Sequence, residues 1–346
     1  MSISKTQANT AIYQSTKKRY SNIELLRLLA MLLVMVGHAN FRSLGGVDYA
    51  EINSSPTSAF LRFLVQAASG ISVNVFVLIS GWFGIKGRTD KLLSLLFQVV
   101  LVSVIMALVS IITNRSVPTM EQWKTVFCLG GSYWFVKSYL LLFIFAPVLN
   151  SFVDHVSHNQ LKLFLICFYI FQILFGWLTD TKWFDSGYSP ISFMGLYLLA
   201  RYLRTSNIPL GKKWESRYLL IYCAITLFTA VVSMFLPTYL FYVYSSPLLI
   251  IAAGSLLLFF CCLNLDSKFI NGIAVSSFAV YLVHANPMFF DTVYTKTIAS
   301  WHSTLPVHTF LLYTAAFIVG IFLSAVIIDQ MRIFLWNLMH KRNSSS

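Results

Sequence analysis

The sequence predicts an all-α fold, a polytopic transmembrane helical bundle of about ten spans with both termini in the cytoplasm. Hydrophobic residues make up 57% of the 346 residues and charged ones only 11%, against roughly 25% charged in an ordinary soluble domain. Apolar runs recur from end to end at the length a bilayer requires, about 20 residues at 1.5 Å each. Basic residues fall mostly between those runs, which gives the chain an orientation. The 30 Phe, 17 Tyr and 8 Trp suit both bundle packing and the interfacial belts where amphipathic rings anchor.

The first run, 23–41, follows a polar stretch and has no small-residue cleavage site after it, so it is expected to stay as a span. Runs 60–85, 91–113, 132–150 and 161–178 come next, then a short one at 190–204. Runs 217–236 and 240–262 are separated by Pro237-Thr238, as in an antiparallel hairpin. A ninth lies at 269–291. The last, 308–338, exceeds what a span needs and is expected to end as an interfacial helix. These runs bound a membrane domain at 23–338, with cytoplasmic tails at 1–22 and 339–346. No internal repeat is evident, which disfavours a transporter made of duplicated halves.

With the N-terminus inside, 17 Lys and Arg fall on the inner side. Six fall outside: Arg42, Arg62, Arg115, Lys124, Lys182 and Lys296. Arg27 and Lys137 lie within spans, and together these account for all 25. The net charge of +13 therefore follows from topology. No nucleic-acid motif accompanies it, and nucleic acid is not expected as a partner. The five cysteines, Cys128, Cys167, Cys223, Cys261 and Cys262, show no metal-ligand spacing and read as packing residues; no metal is expected.

Arg27 and His38 lie eleven residues apart in the first span. At about 100° per residue that is almost three turns, so both project from one face, roughly 16 Å apart. Ionisable groups inside a bilayer cost a few kcal/mol each and mark function by default. Glu24, three residues before Arg27, is placed to pair with it; the competing reading is an interfacial ion pair with a snorkelling stem. The ninth run carries His284 at a depth comparable to His38, with Tyr281 one turn below to hydrogen-bond it and Pro287 beyond. The second run contributes Asn74 and Ser80 as polar groups in an apolar wall and Gly81 as a point of close backbone approach, which read as pocket features or as ordinary helix contacts.

Arg88 and Lys91, with Lys86, and Arg201 and Arg204, with Lys212, Lys213 and Arg217, form inner basic clusters. They suit a donor's phosphates, and positive-inside bias alone also produces them. Trp134 and Lys137, with Tyr139, open the fourth run, where Lys137 either snorkels or lines a polar acceptor cleft. Asp180, Lys182 and Asp185 with Trp177 and Trp183 form either a sugar-binding lip or an interfacial belt.

These residues resemble the membrane acyltransferase 3 family, whose first span carries Arg, ten residues and His, here Arg27 through His38 preceded by Glu24. The resemblance extends through Phe76-Val77-Leu78-Ile79-Ser80-Gly81-Trp82-Phe83-Gly84-Ile85. It continues at Tyr133-Trp134-Phe135 with Tyr139 and Pro147, and at Ser277 to His284, covering essentially the whole chain. The chain departs from the family pattern at two places. An Arg-x-x-Arg motif appears only as Arg88-Thr89-Asp90-Lys91, and Tyr133 stands where many members have His.

The resemblance implies a bacterial inner-membrane O-acetyltransferase of the exopolysaccharide, capsule or lipopolysaccharide type. Acetyl-CoA would be the donor, and a glycan or lipid-linked oligosaccharide the acceptor. His38 would then act as general base or nucleophile, Arg27 would attract donor phosphates, and Glu24 would orient Arg27. His284, Tyr281 and Ser80 would shape the pocket. Two readings of other classes compete: a glycan or lipid-linked-sugar transporter, which needs no acetyl-CoA, and a membrane sensor or scaffold, which would tolerate loss of either histidine.

Overall fold

A computed structural model of the chain describes residues 19–114, 119–127 and 133–343. Lys5, Lys17, Lys18, Arg115 and Cys128, and the side chains of Lys341 and Arg342, lie outside the described residues. The described residues are helical with no strand. Among the described residues, eight helices are long and apolar enough to cross a membrane, and a bent helix pair makes a ninth if counted as one span. The protein is thus a multi-pass membrane protein.

The helices that build it are α1 (Ser21–Gly37), α2 (Pro56–Gly70), α3 (Ser72–Phe83), α4 (Thr89–Asn114), α5 (Trp134–His155), α6 (His158–Gln172), α7 (Pro190–Thr205), α8 (Lys212–Phe235), α9 (Pro247–Cys262), α10 (Lys268–Ala274), α11 (Ser277–His284), α12 (Thr295–Thr304) and α13 (Val307–Asn343). Helices α2 and α3 together form one span, Pro56–Phe83. Helix α7, the sixth run, has 16 residues, short for a span, and carries the chain from Tyr188 at the His38 cavity to Arg204 over Trp82. One element differs from the ten-span expectation. The ninth run is not one helix: α10 and α11 are followed by a break, and the chain resumes at Pro287 bent by 57°. Proline forces this, since it cannot donate to the preceding turn and its ring crowds that turn's carbonyl.

Burial separates an inner set from an outer one. In the most apolar 18-residue stretch of each span, 67% of residues are buried in Tyr239–Cys262 and 61% in Pro56–Phe83, against 17% in Val307–Leu338, which turns most of its apolar surface outward. Helix α1 belongs to the inner set and runs parallel to α10 and α11. At one end Ser267 N donates to Ser21 Oγ at 3.0 Å, and at the other His38 meets His284. Antiparallel α3 packs on its other flank, with Tyr20 against Phe83 at 5.6 Å. Gly81 lets α3 and α7 touch, for a Cβ there would lie 2.5 Å from Tyr197 O.

The buried charge of α13 is satisfied locally and across the bundle. Asp329, fully buried, accepts from Arg332 Nε at 2.7 Å and from Gln98 Nε2 of α4 at 2.8 Å. Arg332, grouped with the inner loop charges on sequence, is thus buried within the last helix and tied to α4 through Asp329.

Candidate active site

Helix α1 keeps regular geometry to Gly37 and then widens into a π-turn, His38–Arg42. Such turns interrupt the backbone ladder and recur at functional sites. Facing it, α11 ends at His284, and beyond Pro287 a second π-turn runs Phe290–Tyr294. The two histidines meet between these turns. His38 Nδ1 lies 3.2 Å from His284 Nε2, and His284 Nδ1 lies 2.8 Å from Val280 O. Phe290 meets His38 edge-on at 5.1 Å. Tyr294 Oη donates to Met35 O at 2.7 Å, tying the second π-turn to the turn of α1 just before His38.

His38 borders a cavity of about 370 Å³. Exposed Arg42 and Asp291 stand at its rim, and Trp134, Tyr188 and Tyr244 form one wall. Trp134 packs on Tyr188 at 4.3 Å and stacks on Tyr244 at 5.6 Å. Such faces, apolar with phenolic hydroxyls at their edges, suit a ligand that mixes C–H surface with hydroxyls. Val34 and Met31 carry the lining two turns down α1 toward Arg27. A second cavity of about 140 Å³, bordered by Gln66, Ser69 and Ser72, touches His38 from α2 and α3.

The structure gathers only part of the sequence-predicted set here. His38, Tyr281 and Trp134 line the main cavity, while His284 is fully buried behind His38. Tyr281 does not hydrogen-bond His284, because Val280 and His38 take both ring nitrogens; the two rings meet edge-on at 6.0 Å. Asn74 is fully buried and donates to Tyr244 O at 3.1 Å, so it holds that wall from behind. Ser80 bonds Phe76 O at 3.0 Å and Tyr139 Oη at 3.2 Å, behind the cavity-lining Phe76. Lys137 is exposed and lies outside the lining of the cavity, which corrects the cleft reading: α5 turns Phe135 inward and Lys137 outward. Asp180 is engaged by Ser186 N at 2.6 Å and Oγ at 2.9 Å, Trp177 donates to Leu240 O, and Trp183 is exposed. That loop forms no lip on the cavity; the aromatic wall comes from Trp134, Tyr188 and Tyr244.

Basic residues collect at the other end of α1. Arg27 pairs with Glu24, and Arg19 approaches the same carboxylate at 3.7 Å. Across from them, Arg204 covers the Trp82 ring at 5.0 Å. Arg201 reaches Asp154 at 3.8 Å, and its Nε is buried without a hydrogen-bond partner. Arg88 is held by Asp90 at 2.8 Å and 3.0 Å, and Lys91 is exposed. Arg27 does not border the cavity, whose deepest residue on α1, Met31, is one turn away, about 6 Å along the axis.

Sequence reasoning noted Tyr133 only as a departure from the family pattern and gave Asn286 no role. Tyr133 has φ 56° and ψ 39°, a left-handed conformation unusual outside glycine. Its Oη donates to Leu282 O at 2.7 Å and accepts from Asn286 Nδ2 at 2.8 Å, while Asn286 Oδ1 caps Met288 N at 3.0 Å. These bonds secure the chain break next to His284. No local pattern signals a partner 149 or 153 residues away.

A family model described as an acyltransferase domain matches residues 20–329. The chain belongs to the acyltransferase 3 family. No curated protein and no solved structure matches it. The two ends of α1 differ: an imidazole beside a polar-rimmed cavity lies at one and a cluster of arginines at the other. Among the described residues no group of three or more His, Cys, Asp or Glu could hold a metal ion. Tyr133 serves this acyltransferase as a backbone clamp, its hydroxyl bonding Leu282 O.

Proposed function

We propose that this acyltransferase moves an acetyl group from cytoplasmic acetyl-CoA to a hydroxyl of a cell-surface or lipid-linked glycan in a bacterial inner membrane. The observation that carries the reading is His38 on the wall of the aromatic-lined cavity, two turns above the point where that cavity approaches Arg27. The bias of Lys and Arg, 17 to 6, supports an orientation with the N-terminus and the Arg27 end inside and His38 toward the outer face.

Acetyl-CoA is polyanionic and cytoplasmic, whereas the acceptor lies outside. Arg27, Arg201 and Arg204 suit its phosphates at the inner mouth, guanidinium being fixed in charge and able to make paired bonds to phosphate. The thioester arm extends past Met31 toward His38, so the acetyl group crosses while the nucleotide stays inside. His38 takes the proton of the acceptor hydroxyl as its oxygen attacks the thioester carbon. The C–S bond then breaks, and the thiolate leaves with the proton from the imidazolium, giving an ester and free CoA thiol.

The test is mass spectrometry of surface glycans from cells with and without the gene, before and after mild base. A base-labile acetyl increment that disappears with the gene, and stays absent when His38→Ala is expressed at normal level, is the expected result. Unchanged acetylation in cells carrying only His38→Ala would sink the reading.

A further inference from the structure

The hydrogen bonds around the histidine pair determine where its protons are. A carbonyl oxygen only accepts, so the 2.8 Å contact of His284 Nδ1 with Val280 O requires a proton on that nitrogen. A neutral imidazole carries one N–H, which leaves His284 Nε2 as an acceptor. The 3.2 Å contact then requires His38 Nδ1 to donate. His38 Nε2, on the far side of the ring, retains its lone pair and has no hydrogen-bond partner among the described residues, although His38 borders both cavities.

We propose that His284 is a positioning residue that fixes the tautomer of His38 and thereby assigns His38 Nε2 as the atom that takes the acceptor proton. The inference rests on the acyl-transfer reading above and adds to it the identity of the working nitrogen. When Nε2 gains the proton, His38 becomes cationic and its Nδ1–H bond to His284 becomes charge-assisted, hence shorter and stronger. That bond is therefore worth most in the transition state, where it lowers the barrier. Hydrolase triads use a carboxylate behind the histidine. Here a backbone carbonyl and a neutral imidazole do that work, without placing a permanent charge deep in the bundle, where a lone carboxylate would be costly.

The surroundings are built to hold this chain of bonds. Tyr133 and Asn286 brace the helix break two residues beyond His284, and Tyr294 ties the facing π-turn to Met35. Asn286, His284 and Tyr294 are all fully buried.

The test combines 15N spectra of the full-length protein, histidine-labelled and in lipid nanodiscs, with initial rates of acetyl transfer. His38 signals are assigned by their loss in His38→Gln. In the wild type, His38 Nδ1 should be protonated and Nε2 not. His284→Leu should mix the tautomers and lower kcat about 10- to 100-fold, less than the ~10⁴ seen when a triad histidine is locked in the wrong tautomer, with both KM values little changed. His284→Gln, whose Oε1 accepts from His38 Nδ1–H, should restore the single tautomer and most of kcat. Three results would overturn the inference: a wild-type His38 protonated on Nε2, a His284→Leu protein with tautomer and kcat intact, or a His284→Gln protein as slow as His284→Leu despite the wild-type tautomer. The wild-type spectrum decides even if His284→Leu fails to fold. Absence of any acetyl transfer by a wild-type protein showing the expected tautomer would overturn the acyl-transfer reading and, with it, the proton-taking role of Nε2, while leaving the hydrogen-bond assignment standing.

Discussion

Helix α1 carries an ionisable group near each end, and the two are satisfied in different ways. Near its N-terminal end Arg27 bonds Glu24, three residues back on the same regular helix, and it lies outside the lining of the cavity that His38 borders. At the other end the helix opens into a π-turn, and His38 bonds a residue 246 positions away while bordering two cavities. A charge neutralised from within its own helix is portable: it needs only the helix. An imidazole held from across the bundle depends on everything that positions its partner. The first arrangement suits electrostatic attraction of a mobile anion, the second suits chemistry on an atom that must be aimed.

Four substitutions break or sharpen this contrast. The largest effect is expected for His38→Ala, which should lower kcat for acetyl transfer about 10²- to 10⁴-fold, the range of a lost general base, with helical circular dichroism unchanged. Arg27→Ala should act on the donor, raising its KM about 10- to 100-fold, as expected for hydrogen bonds to a charged group worth roughly 1.5–3 kcal/mol. If kcat fell instead with donor KM constant, Arg27 would belong with His38, and the division between the ends would be wrong.

Tyr133→Phe removes the hydroxyl that joins Leu282 O to Asn286 Nδ2. Each buried group left unsatisfied costs about 1–3 kcal/mol, so the melting temperature in detergent should fall by several degrees. Acetyl transfer should fall as well, since the brace lies beside His284. Lys137→Ala should be the mildest, changing steady-state rates less than about twofold, because the side chain is exposed and lies outside the cavity lining.

Much of this was legible along the chain because the bilayer imposes simple rules. Apolar length gave the spans, and the turn count from Arg27 to His38 gave a shared face. Gly81 was singled out correctly as a point of close approach, for α3 and α7 meet there. The residues whose reading stayed open or changed share one feature: their sequence neighbourhood says nothing about which way they face the rest of the protein. Lys137 turns outward, Tyr281 loses its proposed hydrogen bond to a neighbouring carbonyl and a distant histidine, and the loop at Asp180 closes on its own Ser186 rather than on a ligand.

The sequence by itself determined that this is a multi-span helical membrane protein with a charged pair one turn into its first helix, since hydrophobic length, charge placement and helical spacing are local quantities. The family resemblance, too, was carried by linear motifs. Only the tertiary structure decided that His284 stands behind His38, that the ninth run is bent, and that the cavity wall is built from Trp134, Tyr188 and Tyr244. Those are facts of packing between segments remote in the chain. The orientation of an imidazole is fixed by the partner it meets, which no local pattern names.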